Sequence, residues 1–315
     1  MSSYSSRLPQ LADDAVYLTD GGLETVLIFH QGIDLPLFAA CELLRTDDGR
    51  AVLRQYYDEY ADIAEKAGVG FILDTATWRA NPDWTAQLGY STEEFERVNR
   101  DAVELAAEVR AAWERPGRPI PITGVIGPRG DGYRPDALQS VEEATEYHSA
   151  QIRVFAETGQ VDLVTALTMT YPAEASGVAL ASRDAGLPVA LSFTLETDGR
   201  LVTGETLRAA IESVDLATGG YPSYYMVNCA HPSHLPGDLR TGGDWTERLR
   251  GYRANASQLS HAELDESEAL DDGDPEQLAR EFVLLRESMP QVSVIGGCCG
   301  TDARHIAAIA AAVTA

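Results

Sequence analysis

Eight short apolar runs recur along the chain, each bounded by glycine, proline or a polar turn, with room for a helix between most of them. They are AVYLTD (15–20), GFILDT (70–75), IPITGVIG (120–127), VDLVTAL (161–167), PVALSFTL (188–195), SYYMVNC (223–229), RLRGYRANA (248–256) and VSVIGGCC (292–299). The seventh is the most polar and carries the weakest strand signal. Continuous apolar runs of this length, flanked by turn residues, belong to parallel strands covered on both faces.

The segments between them have helical character. DDGRAVLRQYYDEYADIAEKAG (47–68) ends on Gly68, a residue suited to a left-handed cap. TEEFERVNRDAVELAAEVRAAWE (92–114) opens with acidic residues, which favour a helix N-terminus, and is followed by the proline-rich RPGRPIP. SVEEATEYHSAQIRVFAETG (140–159) opens on Ser140 and closes on glycine. Strand then helix, repeated eight times, predicts an α/β (β/α)8 barrel of the TIM type, with residues 1–315 as one domain; the alternative is a doubly wound open sheet.

A length of 315 residues with 44% hydrophobic content suffices for such a core. No apolar run approaches the roughly 18–20 residues that cross a bilayer, and MSSYSSRLPQ lacks the apolar stretch of a secretory signal. The expectation is a cytoplasmic protein. A net charge of −25 repels nucleic-acid phosphates and anionic lipid, so neither is expected as a partner. Lys66 is the only lysine, and with the acidity this suggests a GC-rich genome or a salty cytoplasm. The acidic stretch 260–277 is expected to be solvated surface. Nothing in the sequence sets an oligomeric state.

In a barrel, chemistry gathers at the C-terminal ends of the strands. Those ends carry Asp20, Gly21 and Gly22 after the first run, Asp74, Thr75 and Thr77 after the second, Asn228 and Cys229 at the sixth, and Gly296, Gly297, Cys298 and Cys299 at the eighth. Three thiolates can fill three corners of a zinc tetrahedron and leave the fourth open, and thiolates favour zinc over magnesium, calcium or manganese. Glycines flanking the Cys298–Cys299 pair would permit the sharp turn that adjacent ligands need. His231 is expected to serve loop packing, and Cys41 to act as a small buried hydrophobe.

VNCAHP (227–232) followed by IGGCCGTDARHI (295–306) resembles the paired zinc motif of the homocysteine S-methyltransferase family. TDGGLET (19–25), DTATWRANPD (74–83), GVIGPRG (124–130), SFTLETDGRLVTGETL (192–207) and Asn255 in YRANAS extend the likeness over most of the chain. The resemblance implies a (β/α)8 barrel and a zinc-dependent methyltransferase with Cys229, Cys298 and Cys299 as ligands. The acceptor would be a small thiol, homocysteine giving methionine, and the donor a small sulfonium or quaternary ammonium. The nucleophile is thiolate rather than thiol, and a zinc-bound thiol is deprotonated and fixed for in-line attack on the methyl group. Asp20, Gly21, Gly22, Thr77 and Asn228 are the candidate substrate contacts, and Trp78, Trp84, Tyr133 and Tyr171 a candidate wall for a cationic donor.

Four positions depart from the family pattern. Leu167 stands where members carry a Glu that holds the amino group of homocysteine, and Ala76 stands where Asn is usual. Val26 stands where Glu is frequent, with Glu24 nearby, and Met226 stands where Gly precedes Val-Asn-Cys. These changes touch the amino-acid end of the pocket, so the alternatives are a related enzyme for another thiol or selenol, or a non-catalytic partner of a corrinoid methyl-transfer system.

Overall fold

The computed structural model describes residues 3–135, 137–237, 239, 242–265 and 270–315, the side chain of Asp265 excepted. The apolar runs form the parallel strands β1 (Tyr17–Leu18), β2 (Gly70–Phe71 continuing as Leu73–Asp74), β3 (Ile122–Ile126), β4 (Leu163–Met169), β5 (Val189–Thr194), β6 (Tyr224–Ala230), β7 (Leu249–Ala254) and β8 (Val294–Gly297). The two halves of β2 close the ring. Its first half pairs with β1 (Tyr17↔Gly70), its second with β3 (Leu73↔Ile122), and β1 pairs on its other side with β8 (Tyr17↔Val294). The result is a TIM-type α/β barrel. The polar seventh run is a full strand, paired with β6 and β8.

Helices α1 (Asp47–Ala67), α2 (Thr92–Trp113), α3 (Val141–Thr158), α4 (Pro172–Asp184), α5 (Leu207–Thr218), α6 (Pro275–Ser288) and α7 (Ala303–Val313) surround the strands. Among the described residues, the 3-10 turn Pro232–His234 and the short helix Asp244–Glu247 lie between β6 and β7. The helix ends follow the capping signals in the sequence. Thr46 accepts from Gly49 N and Gly68 closes α1 at φ +73°, while Ser91 with Glu94 and Ser140 with Glu143 form capping boxes on α2 and α3. Among the described residues no helix is long and apolar enough to cross a membrane.

Strand side chains alternate between two separate apolar clusters. Leu18, Leu73, Ile122, Val164, Leu191 and Val227 point outward to the helices. Tyr17, Ile72, Leu163, Ala190, Tyr224 and Val294 point inward and fill the lower lumen with Leu8 from the N-terminal segment. Leu167 packs against this inner cluster, so it faces the lumen. The bottom of the barrel is therefore dry and plugged, and polar chemistry is left to the upper end.

Candidate metal centre

Alternation places Asn228 inward on β6 and would turn Cys229 outward to the helices. A register shift between Asn228 and Ala230 prevents this, and Cys229 sits at φ +53°. A bulge of this kind re-aims one side chain, so Asn228 and Cys229 both face the mouth. The same device recurs on β4, where the register shifts between Ala166 and Met169 and Thr168 takes φ +61°. Left-handed backbone at a residue other than glycine costs on the order of 1–3 kcal/mol.

Asn228 joins the two bulges. Its Nδ2 donates to Thr168 Oγ1 at 2.9 Å and to Cys229 Sγ at 3.0 Å, while its Oδ1 accepts from Thr168 N at 2.9 Å. The side chain is fully buried.

The second arm of the site follows β8. Gly296 and Gly297 are strand residues with no room for a side chain: a Cβ would lie 2.0 Å from Thr19 Oγ1 and from Thr301 Oγ1 respectively. The turn falls on Gly300, one of the glycines flanking the cysteine pair, with φ +80°. The loop backbone is pinned on three sides. Cys298 N donates to Ala254 O at 2.7 Å, Ala256 N to Cys299 O at 3.0 Å, and Gly300 N to Thr25 Oγ1 at 3.1 Å.

These two arms bring the sulfurs of Cys229, Cys298 and Cys299 within 4.8 Å of one another. Cys229 Sγ and Cys298 Sγ lie 2.6 Å apart. Hydrogen bonds from the thiols of Cys298 and Cys299 hold the Cys229 thiol well below its ordinary pKa. With that charge in place Cys298 is pushed up to about 12, and Cys299 is also raised. Three clustered thiols, Cys229 buried and the other two partly exposed, thus share one negative charge readily and oppose a second. A soft dication supplies the compensation that full ionisation needs, so the donor set fits a metal of the zinc type.

Three loops roof the sulfurs. Tyr133, after β3, places its OH 3.9 Å from Cys299 Sγ, and the His261 ring lies against it with centroids 4.4 Å apart. His261 Nε2 donates to Cys229 O at 2.6 Å and its Nδ1 meets Glu196 at 3.2 Å. A cavity of about 280 Å³ opens beside the mouth, lined by His231, Ser257 and Asp271 among others, but by none of the three cysteines. His261 and Asp271 belong to the stretch expected to be solvated; positions 266–269 of it lie outside the described residues, Ala262, Glu263, Gly273, Asp274 and Glu276 are exposed as expected, and His261 and Asp271 bond to Cys229 O and Ser257 instead. His261 went unnoticed in the sequence because it is embedded in a run of acidic residues.

The remaining candidates occupy different surroundings. Both oxygens of Asp20 are engaged, Oδ1 by Arg253 and Oδ2 by the Tyr56 hydroxyl at 3.1 Å. Arg253 also bridges to Asp74, which accepts from Thr123, and donates through Nε to Gly297 O at 3.1 Å. Thr77 is fully buried and donates to Val125 O at 2.8 Å. Gly21 and Gly22 serve close packing: a Cβ on Gly21 would meet Tyr60 OH at 2.8 Å, and one on Gly22 would meet Cys298 O at 2.6 Å. His231 faces Ser233 and Glu281, not the sulfurs, and Cys41 is buried in the outer core. Of the aromatic wall, Trp78 and Trp84 carry the protein's own Arg79 guanidinium, 5.1 and 4.1 Å from their ring centroids, and Tyr171 accepts from Gln139 N.

Residues 17–313 match the family model for homocysteine S-methyltransferase. Similar proteins include homocysteine S-methyltransferase 2 of Arabidopsis thaliana, 26% identical over 92% of this chain and 90% of that protein. Selenocysteine Se-methyltransferase of Brassica oleracea var. italica is 26% identical over 93% and 87%. The metallated form of the homocysteine methyltransferase MmuM from Escherichia coli shares the fold at TM-score 0.76, with 22% identity and 98% and 99% of the two chains covered.

Proposed function

The chain belongs to the homocysteine S-methyltransferase family, and from that premise we propose that this methyltransferase uses zinc held by Cys229, Cys298 and Cys299 to methylate a small thiol, homocysteine giving methionine, at the expense of a small sulfonium or quaternary ammonium donor. The observation that carries the reading is the convergence of three sulfurs from two distant strands, with spacing suited to one ion. Bound there, zinc supplies a Lewis acid that keeps the acceptor sulfur as thiolate at neutral pH.

The chain's own residues do the rest. Asn228 holds Cys229 and Thr168 in their bulged conformations, so the sulfur does not rotate out to the helices. Tyr133 and His261 cover the sulfurs and exclude water from a thiolate that water would otherwise stabilise. Asp20 acts as a positioning residue: it anchors Arg253, whose Nε steadies Gly297 directly before the cysteine pair. We take residues 1–315 as one barrel domain that works in a reducing compartment such as the cytoplasm, where its thiols stay available. Its partners are then the thiol and the methyl donor alone.

A second reading, a different thiol or a selenol as acceptor, draws on Leu167 in the lumen and on the occupied oxygens of Asp20. Turnover confined to a non-homocysteine acceptor would select it.

The first test is elemental analysis of protein purified reduced and without chelator. Wild type should hold about one zinc per chain, and Cys298→Ser should lose most of it together with methyl transfer. Zinc-free wild type that takes up none on addition would remove the reading.

A further inference from the structure

The register of β6 passes over Cys229. Asn228 pairs with Arg253 and Ala230 with Ala254, and on the β5 side the last pair is Thr194 with Asn228. The Cys229 backbone is left-handed at φ +53°, a conformation that a residue with a side chain keeps only where its surroundings enforce it. Asn228 enforces it from the side-chain end, through the bond from Nδ2 to Cys229 Sγ. The main-chain end needs a partner too, because a residue left out of the ladder must find a donor for its carbonyl elsewhere. That donor is His261 Nε2, at 2.6 Å.

His261 is held from three sides. It opens the short helix His261–Asp265, where Ser260 N donates to Glu263 Oε2 at 2.8 Å and Glu263 N donates to Ser260 Oγ at 3.3 Å. This reciprocal pair is a capping box, and it sets the direction in which the first helical side chain leaves the backbone. The ring packs on Tyr133 with centroids 4.4 Å apart and planes inclined at 42°. Nδ1 lies 3.2 Å from Glu196 Oε1, on the loop after β5. That loop is itself tied into a turn, with Glu196 N donating to Arg200 O at 2.8 Å and Gly199 N to Glu196 O at 2.9 Å. A carboxylate and a carbonyl oxygen both accept, so both ring nitrogens donate. Turning the ring over would put carbon where each nitrogen stands.

A line of carboxylate, imidazole and carbonyl thus ends on the main chain of the residue whose sulfur meets Cys298 Sγ. We propose that Glu196 and His261 are positioning residues of the metal centre: Glu196 orients the ring, and the Nε2–H of the ring fixes the Cys229 peptide so that its sulfur stays turned to Cys298 and Cys299. This role rests on the zinc reading above and adds to it two residues that act only through a ligand. Partners that orient a ligand govern how tightly the ion is held more than whether the chain folds. Cover and alignment of the sulfurs then share one part, since the ring that roofs them with Tyr133 is the ring that holds Cys229.

The test uses the full chain loaded with zinc, for competition with a chelator, and with cobalt(II), whose thiolate charge-transfer and d–d bands report how the sulfurs surround the ion. His261→Phe keeps a ring against Tyr133 and removes both N–H donors. It should hold zinc about tenfold to a hundredfold more weakly than wild type and shift the cobalt bands, with the urea midpoint close to wild type. His261→Gln, whose amide nitrogen can reach the position of Nε2, should recover most of both. Glu196→Ala should weaken zinc less, and should have no effect when added to His261→Phe, because Glu196 acts through the ring. Wild-type affinity and bands in His261→Phe would overturn the role, as would a Glu196→Ala effect that adds in full to that of His261→Phe. A lowered urea midpoint with unshifted cobalt bands would also overturn it, since a merely structural contact behaves that way. Should His261→Phe not fold, Glu196→Ala decides: unshifted bands overturn the role, and shifted bands at an unchanged urea midpoint support it. Wild type that takes up neither metal would remove the zinc reading and this role together. Wild type that binds both, with variants that bind alike, would remove this role alone.

Discussion

The mouth of the barrel has two walls made of similar residue types and used in opposite ways. On the β6 and β8 wall, Asn228, Cys229, Cys298 and Cys299 aim at one point, and the backbone bends to make them do so. On the β1 and β2 wall, Asp20, Asp74, Thr75 and Thr77 turn to their neighbours: Asp20 and Asp74 to Arg253, and the two threonines to each other and to β3. One wall turns three thiols toward one another, an arrangement that a cation would complete. The other is satisfied from within, as a scaffold must be. Position at a strand's C-terminal end is shared by both and does not tell them apart; the inventory of hydrogen-bond partners does.

The largest effect expected from the scaffold wall comes from Arg253→Met. It would leave Asp20 and Asp74 buried without a counter-charge, and removing one member of a buried ion pair costs about 3–5 kcal/mol. Urea unfolding should show that loss. A loss below about 1 kcal/mol would mean that the carboxylates find other partners, and the contrast between the walls would fail on the scaffold side.

A smaller effect is expected where the walls touch. Gly22 packs on the Cys298 carbonyl, and a Cβ there would lie 2.6 Å from that oxygen. Gly22→Ala should cost about 1–3 kcal/mol through overpacking and displace the cysteine loop. The sharper readout is metal: zinc should be released to a chelator faster from the variant than from wild type. Unchanged release with lowered stability would show that the cysteine loop keeps its geometry without help from β1.

These contrasts mark what the sequence could and could not reveal. The eight strands were legible, the polar seventh included, because burial on both faces leaves a composition that no other element needs. The clustering of the three cysteines was legible because their strand ends, and the motif pair they resemble, place them at one mouth. The bulges at Thr168 and Cys229 were not, since neither position carries the glycine that left-handed backbone usually attracts. Of the glycines that flank the cysteine pair, Gly300 makes the turn, while the absent side chains of Gly296 and Gly297 make room for Thr19 and Thr301, a role that the sequence does not show. Arg253 was hidden in the weakest of the strand signals. A guanidinium argues against a buried strand until its carboxylates are known, and Asp20 lies 233 residues away. Partners that distant leave no local trace, so the sequence shows Asp20 as a candidate substrate contact but not the bonds to Arg253 and Tyr56 that its carboxylate makes.

Thr77 gives the finest test of the same distinction. It sits where a substrate contact was expected, two residues beyond Thr75, with the two hydroxyl oxygens 2.7 Å apart. Its hydroxyl donates to Val125 O, and its carbonyl accepts from Gln151 Nε2 at 3.1 Å, so the residue ties the β2 loop to β3 and α3. Thr77→Val keeps the shape, removes the donor and leaves Val125 O without that partner. A lost buried hydrogen bond of this kind costs about 1 kcal/mol. Stability should fall by that amount while KM for the thiol stays at the wild-type value, because nothing that faces the sulfurs has changed. The reverse result, raised KM at full stability, would put the Thr77 hydroxyl on the substrate. The β2 loop would then have to open in solution to expose a side chain that is fully buried here, and the two walls would differ in mobility instead of in role.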